Sequence, residues 1–463
     1  MQPANSIGRW SAMPADTQTI ADVARRLRAR EATAESLVDG CLQRIAERNS
    51  AVNAFITVFE NDAREQARTA DREIAAGRYL GPLHGVPISL KDIIDVEGSA
   101  TTAASRVRRN HVATADAAVT ARLRTAGAVL IGKTNLHEFA LGTTNEDSAY
   151  GPAHHPRDLN RSPGGSSGGS AASVADGMCL ASIGTDTGGS IRIPAAVCGL
   201  VGLKAGIGEV PTDGVVPLSP TLDHVGPIAR SVEDAALIYA VLRGDDGTAA
   251  RGGANTSRRF GIPRDYFFDL LDPQVVSTFD GACDRLRHAG AAIEDAIIPH
   301  VGDVPAIYVH IVLAEAAAYH ANTLERRPDA YTANVRSRLE MGRYILGEDF
   351  ARALRGRDLI RREVDAALRG FDALLLPSVP ITAPRIGVPM VKIGGAEEPV
   401  RNVMLRCTQT FNVSGHPAVS IPCGANVDGF PIGLQLVGHT GATSHLLETA
   451  AFVERYLGPG TSR

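Results

Sequence analysis

Residues 162–194, SPGGSSGGSAASVADGMCLASIGTDTGGSIRIP, constrain this chain more than any other stretch. Two glycine-flanked serine clusters, Ser166/Ser167 and Ser190, are joined there by a segment with almost no bulky side chain. Glycine lacks the Cβ that blocks close backbone approach, and serine is a potential nucleophile, so two such clusters read as a site. A flexible Gly/Ser linker accounts for 164–170 taken alone. It fails for MCLASIG and SIRIPAAVCGLVGL, which are apolar enough for buried strand and helix.

The surrounding chain of 463 residues is 44% hydrophobic and 21% charged, which excludes a disordered protein. Lys+Arg 47 against Asp+Glu 51 leaves a net charge of −4 with the signs interspersed, so no basic face announces nucleic acid or anionic lipid. The N-terminus lacks a signal-peptide pattern, and no apolar run reads as long enough to span a bilayer, so the expectation is a cytoplasmic protein without a membrane partner. Six scattered cysteines without a CxxC pair indicate neither a zinc site nor a disulfide framework. No cofactor is expected, and a homodimer is left open.

Taken in order, residues 17–48 read as two amphipathic helices, each opened by a threonine. NAFITVF then reads as a strand, and ENDAREQARTADREIAAG as a helix closing on Gly77. The run VPISL delivers Lys91 at its end, and local sequence alone favours a solvated strand end there over a buried base. From residue 114 helix and strand alternate, as an α/β sheet requires. A Pro/Gly-rich loop is expected at 205–227, a helix capped by Ser231 after it, and a long helical region across 303–369. AVSIPC, IGLQLVG and a closing helix complete the chain. The expected architecture is a single large α/β/α domain, a central mixed sheet covered by helices, with N-terminal helices at 17–77, a core at 78–240 and a variable helical cap at about 300–370.

Several motifs fail on their context. A literal G-x-x-x-x-G-K-T occurs at 127–134, but its central residues are AVLI, a buried strand rather than a phosphate-cradling turn. A G-x-S-x-G occurs at 164–168, yet DLNRSP precedes it where a nucleophile elbow needs a buried strand. That esterase reading would call on His416 or His439 as the base. His137-Glu138 lacks a second zinc-binding histidine, and the adjacent His154 and His155 do not easily face one metal.

TDTGGSIR carries the stronger geometry. A buried strand ends in a Gly-Gly turn that sets Ser190 just before a helix, so the N–H groups of Thr187, Gly188, Gly189 and Ser190 can converge as an oxyanion hole. The helix N-terminus is expected to add its positive dipole end, and the absent side chains to admit a carbonyl. A serine hydroxyl needs a base, and without a convincing histidine the remaining candidate is a neutral lysine, Lys91, its pKa lowered by desolvation. Ser166 could relay the proton.

These residues together resemble the amidase signature family. The match rests on a G-[VI]-P-[IV]-x-x-K-D strand at 85–92, PGGSSGGS at 163–170, and GTDTGGSIRIP at 184–194, with Ser166 and Ser190 separated by 24 positions. The resemblance covers about residues 18–456. It implies a Ser–cis-Ser–Lys triad in which Ser190 is acylated, Ser166 follows a cis peptide and bridges, and Lys91 is the base. It further implies that Ser167, Asp186 and Arg192 support the site, that Thr187 to Ser190 form the oxyanion hole, and that the substrate is a small-molecule amide or carbamate.

Within the family the chain also looks like the amidotransferase subunit that draws ammonia from glutamine for a partner acting on charged tRNA. In that subunit an aspartate stands seven residues before the asparagine matching Asn412; here it is Leu405. Glu209 likewise replaces an arginine of the loop after the nucleophile. Leucine leaves a substrate ammonium unpaired, which favours a stand-alone hydrolase resembling broad-scope amidases and urethanases.

Overall fold

The computed structural model of the protein describes residues 18–245 and 258–458. Residue 17, the expected start of the first helix, lies outside them. The strands are β1 (Phe55–Val58), β2 (Pro87–Lys91), β3 (Val129–Thr134), β4 (Ala181–Asp186), β5 (Val201–Lys204), β6 (His224–Ala229), β7 (Arg259–Pro263), β8 (Ala292–Ala296), β9 (Ala373–Pro377), β10 (Met390–Ile393), β11 (Ala396–Pro399), β12 (Ala418–Ala425) and β13 (Pro431–Val437). Among the described residues β10 and β11 form a separate hairpin, and the rest join one 11-stranded sheet in the order β1-β3-β2-β4-β6-β5-β12-β13-β9-β7-β8.

The sheet is mixed. β3, β2 and β4 run parallel, β4 through β13 alternate antiparallel across the centre, and β9, β7 and β8 are parallel again. Helices flank it: Glu60–Ala75 packs on β3, Gly168–Ala175 on β4, Val232–Arg243 on β6 and Thr443–Leu457 on β12. Their apolar faces fuse with the strands into one buried cluster. The two threonine caps hold, since Thr19 and Thr33 accept from the N–H groups of Asp22 and Ser36, and Ser231 accepts from Asp234.

Three expectations change. The end of the supposed 205–227 loop is strand β6, inserted between β4 and β5. Pro227 hid it, because a proline cannot donate to a ladder. The ladder with β5 covers only Val201/Ala229 and Gly202/Ile228, so it has ended before Pro227. The hairpin β10–β11 and the short helices Val400–Leu405 and Gln409–Val413 were not anticipated. Finally, the stretch Val301–Arg326 is long and apolar enough by length and composition to cross a bilayer, against the expectation that none would be. Its apolar character has a use inside the protein: Tyr308, Ile311, Val312 and Leu313 are buried, and the helix packs on Ala333–Gly342 and Gly347–Ala367.

Small residues decide how the serine segment docks. Helix Gly168–Ala175 is buried at every position, and a Cβ on Gly169 would lie 2.5 Å from the Asn135 carbonyl oxygen and 2.6 Å from that of Ala54. Gly169→Ala must therefore push the helix off its seat, with an expected loss of about 1–3 kcal/mol in urea unfolding. A loss below about 0.5 kcal/mol would mean that the backbone contact is soft.

Candidate active site

The C-terminal ends of the parallel neighbours β2 and β4 bring the first residues together, as is usual for sites in α/β sheets. Lys91, the last residue of β2, is completely buried, which overturns the local reading of a solvated strand end. The next residue explains the burial: Asp92 is pinned by Lys133 at 3.1 Å and by the Thr102 N–H at 3.1 Å, so the chain turns inward rather than out to water. Lys91 Nζ lies 2.7 Å from Ser166 Oγ and 2.8 Å from Thr185 Oγ1. Burial pulls its pKa down to about 7, and the charges of Asp186 and Asp223 offset only part of that pull.

Ser166 follows a cis peptide at Gly165-Ser166 and is fully buried. No strand precedes it, in line with rejection of the elbow. The adjacent Ser167 stitches the two serine segments together. Its N–H donates to the Ser190 carbonyl at 3.3 Å, and its hydroxyl donates to the Thr185 carbonyl at 3.2 Å. Ser190 is 5% exposed, and among the described residues its hydroxyl makes no hydrogen bond, to Ser166 or to any other group. It is the uncommitted hydroxyl of the set.

β4 ends at Asp186, and Thr187, Gly188, Gly189 and Ser190 form the turn beyond it. Among the described residues none of their four N–H groups donates to a protein acceptor. The glycines have a tighter purpose than admitting a carbonyl. A Cβ on Gly188 would sit 2.4 Å from Tyr308 Oη and 3.0 Å from Leu405 Cδ2, and one on Gly189, whose φ is +138°, 2.2 Å from Thr408 Oγ1. The Thr408 hydroxyl donates to the Gly188 carbonyl at 2.6 Å, which fixes that peptide.

Asp186 and Arg192 bracket this turn. The guanidinium donates to the carboxylate through Nε at 3.0 Å and Nη2 at 2.9 Å, and both side chains are fully buried. The remaining donors reach Gln435 (2.6 Å), Asn412 (2.6 Å) and the Thr408 carbonyl (3.1 Å). Burial pushes the Asp186 carboxyl up, but the Arg192 charge and hydrogen bonds, with Lys204 and Asn412 behind them, hold it well below the usual carboxylate range. The same carboxylate accepts from the N–H groups of Ile191 and Arg192 at 3.1 and 3.4 Å. The start of helix Arg192–Cys198 is thus directed at Asp186, and the expected dipole contribution to a substrate oxygen is spent inside the protein.

The alternative base is not available. His416 Nδ1 and Nε2 are taken by Ser414 Oγ and Asp365, each at 3.0 Å, and burial lowers its pKa to about 4. His439 Nε2 binds the Phe371 carbonyl. Among the described residues no group of three or more His, Cys, Asp or Glu is gathered to hold a metal.

Sequence reasoning missed Thr185, Thr408, Gln435, Tyr308 and Asp223. Thr185 stood inside the GTDTGGS motif without a role. The others belong to segments distant in sequence: Asp223 lay in the expected Pro/Gly-rich loop and Gln435 in the expected strand IGLQLVG, neither with a role attached. A cavity of about 250 Å³ opens beside the site, lined by Thr185, Thr187, Ile93, Val216 and Asp223 among others.

The chain has relatives in sequence and in fold. A family model described as Amidase matches residues 36–447. An amidase of Pseudomonas putida is 40% identical over 89% of this chain and 90% of its own length. A glutamyl-tRNA(Gln) amidotransferase subunit from Symbiobacterium thermophilum is 38% identical over 91% of this chain and 93% of its own length. A solved amidase crystal structure superposes with a TM-score of 0.90 at 36% identity, covering 95% of this chain and all of that one. On sequence and fold together, the chain belongs to the amidase family.

Proposed function

We propose that this amidase-family hydrolase of C–N bonds works through a Ser190 acyl-enzyme, with Ser166 and Lys91 as the proton relay. The observation that carries the reading is the buried Lys91 amine, 2.7 Å from Ser166 Oγ and poised near pKa 7, together with an uncommitted Ser190 hydroxyl on a turn whose four N–H groups meet no protein acceptor among the described residues. A lysine at that pKa is neutral often enough to accept a proton at neutral pH. Ser166 passes the Ser190 proton to Lys91 while Ser190 Oγ attacks the carbonyl carbon. The N–H groups of Thr187, Gly188, Gly189 and Ser190 receive the developing oxyanion. Ser166 returns the proton to the departing amine, and water enters by the same relay to release the acid. Ser167 holds the two serine segments in register, and Asp186 with Arg192 fixes the turn.

The substrate class we favour is a small amide, with anilides and N-aryl carbamates inside the range because both offer a carbonyl and an amine leaving group. The whole-length likeness to an amidotransferase subunit supports glutaminase activity as the second reading. Against it stands Leu405, which reaches the Gly188 turn itself and puts an apolar side chain where an aspartate would pair with the substrate ammonium. The six cysteines are all buried and free, which suits a reducing compartment, so we place the enzyme in the cytoplasm.

Ser190→Ala and Lys91→Ala should each lower kcat by about 10³-fold or more while circular dichroism stays that of the parent. Full turnover in either variant overturns the roles. Because the relay needs the neutral amine, kcat/KM should rise with pH through about 7 and level off above it. A profile that is flat from pH 5 to 9 (roughly two units either side of that value) would remove Lys91 as the base. On a panel of primary amides, anilides, N-aryl carbamates and glutamine, the lone chain should cleave amides and anilides and leave glutamine intact. Glutamine hydrolysis dependent on a partner subunit selects the second reading, and an anilide cleaved where the matching carbamate is not removes carbamates from the range.

A further inference from the structure

Thr187 is the first residue past β4, where no ladder holds the backbone, and among the described residues its one hydrogen bond is made by its side chain. The Thr187 hydroxyl donates to Asp223 Oδ1 at 2.6 Å. The other oxygen of that carboxylate accepts from the N–H groups of Leu218 and Ser219 at 2.9 and 3.1 Å, closing the loop that carries it into a rigid turn. The loop is gripped again from outside by Glu315 of helix Val304–Arg326. That carboxylate accepts from Ser219 Oγ at 2.5 Å, Thr221 Oγ1 at 2.7 Å and the Thr221 N–H at 3.2 Å.

The tie therefore runs from a helix of the 300–370 region through a loop fixed at both faces to one hydroxyl on the candidate hole. A carboxylate acceptor makes that last bond stronger than a neutral one would. Burial raises the Asp223 pKa to about 6, and the bonds from Thr187, Leu218 and Ser219 and the nearby charge of Lys91 hold it from rising further. At neutral pH it is mainly the carboxylate that Thr187 meets. Asp223 and Thr187 both line the cavity beside the site.

We propose that Asp223 is a positioning residue that aims the Thr187 N–H at the substrate oxygen by holding the Thr187 side chain. The inference rests on the Ser190 acyl-enzyme reading. It does not make Asp223 a proton donor or a substrate ligand. An oxyanion hole works only if its donors point where charge develops before it develops, and a residue free to rotate beyond a strand end loses that advantage. The alternative is that Asp223 merely closes its own loop, in which case the Thr187 hydroxyl is dispensable.

The test uses the full chain and an anilide that it cleaves. Thr187→Val keeps the shape and removes the donor. It should lower kcat about tenfold or more while KM moves less than about threefold, because the interaction matters chiefly in the transition state. Thr187→Ser, which keeps the hydroxyl, should run at least about fivefold faster than Thr187→Val. Asp223→Asn must give its single amide oxygen to the Leu218 and Ser219 N–H groups and turn an NH2 toward Thr187, so it and Thr187→Val both end the donation from the Thr187 hydroxyl and should be non-additive, the double variant losing no more than the worse single one. A Thr187→Val enzyme within about twofold of the parent, equal losses in the Val and Ser variants, or losses that multiply in the double variant each overturn the proposal. Should Asp223→Asn fail to fold, the Val and Ser comparison decides alone. Ser190→Ala, run alongside, separates the two layers: an active Ser190→Ala removes the acyl-enzyme reading and this inference with it, whereas an inactive Ser190→Ala beside an unimpaired Thr187→Val removes only this inference.

Discussion

The buried pair of Asp186 and Arg192 is the interaction on which the rest of the site depends. A charge this deep is tolerated only when its hydrogen-bonding capacity is filled, and here it is, by two guanidinium nitrogens, two backbone N–H groups and Asn412 on one side, and by Gln435, Asn412 and Thr408 on the other. Breaking such a pair by removing one partner costs about 3–5 kcal/mol, a large share of the roughly 5–15 kcal/mol that holds a protein folded. The two residues stand at either end of the turn that carries Ser190, so the turn inherits their rigidity. The pair also joins the core around β4 to the segment from Thr408 to Gln435, which sequence alone would not connect.

Lys91 shows the opposite use of burial. Among the described residues its amine has no ion-pair partner, only two hydroxyls, and the carboxylates of Asp186 and Asp223 act at a distance. A closer carboxylate would have kept the ammonium form and disabled a base. The neighbouring Lys133, equally buried, has such a partner in Asp92. Two lysines on adjacent parallel strands are thus given different chemistry by the presence or absence of one contact.

The first half of the chain was legible because its chemistry sits in contiguous motifs. Ser166, Ser190 and the 187–190 turn could be named from spacing, and the strand and helix alternation pointed to the mixed α/β sheet. What escaped were features that depend on neighbours far along the chain. Lys91 looks like a strand end until Thr102 and Lys133 are seen to fold over Asp92. β6 was hidden by Pro227, whose tolerance depends on where a ladder stops. The helix dipole was misjudged because nothing local reveals that Asp186 turns back to accept the N–H groups of Ile191 and Arg192. Tyr308, Thr408 and Gln435 carry no motif, and their value lies only in where they arrive.

The absence of side chains at Gly188 and Gly189 has a consequence for how such a protein can change over generations. The space that a Cβ would need is filled chiefly by Tyr308, Leu405 and Thr408, from the later, motif-poor part of the chain, with Ile193 of the serine segment beside them. The glycine turn is therefore cast in a mould made mostly from residues that have no signature of their own. Exchanging the later part for that of a relative would swap the mould and leave the casting, so the two parts cannot be shuffled as independent modules. Divergence in substrate range must proceed around Tyr308 and Thr408 rather than through them.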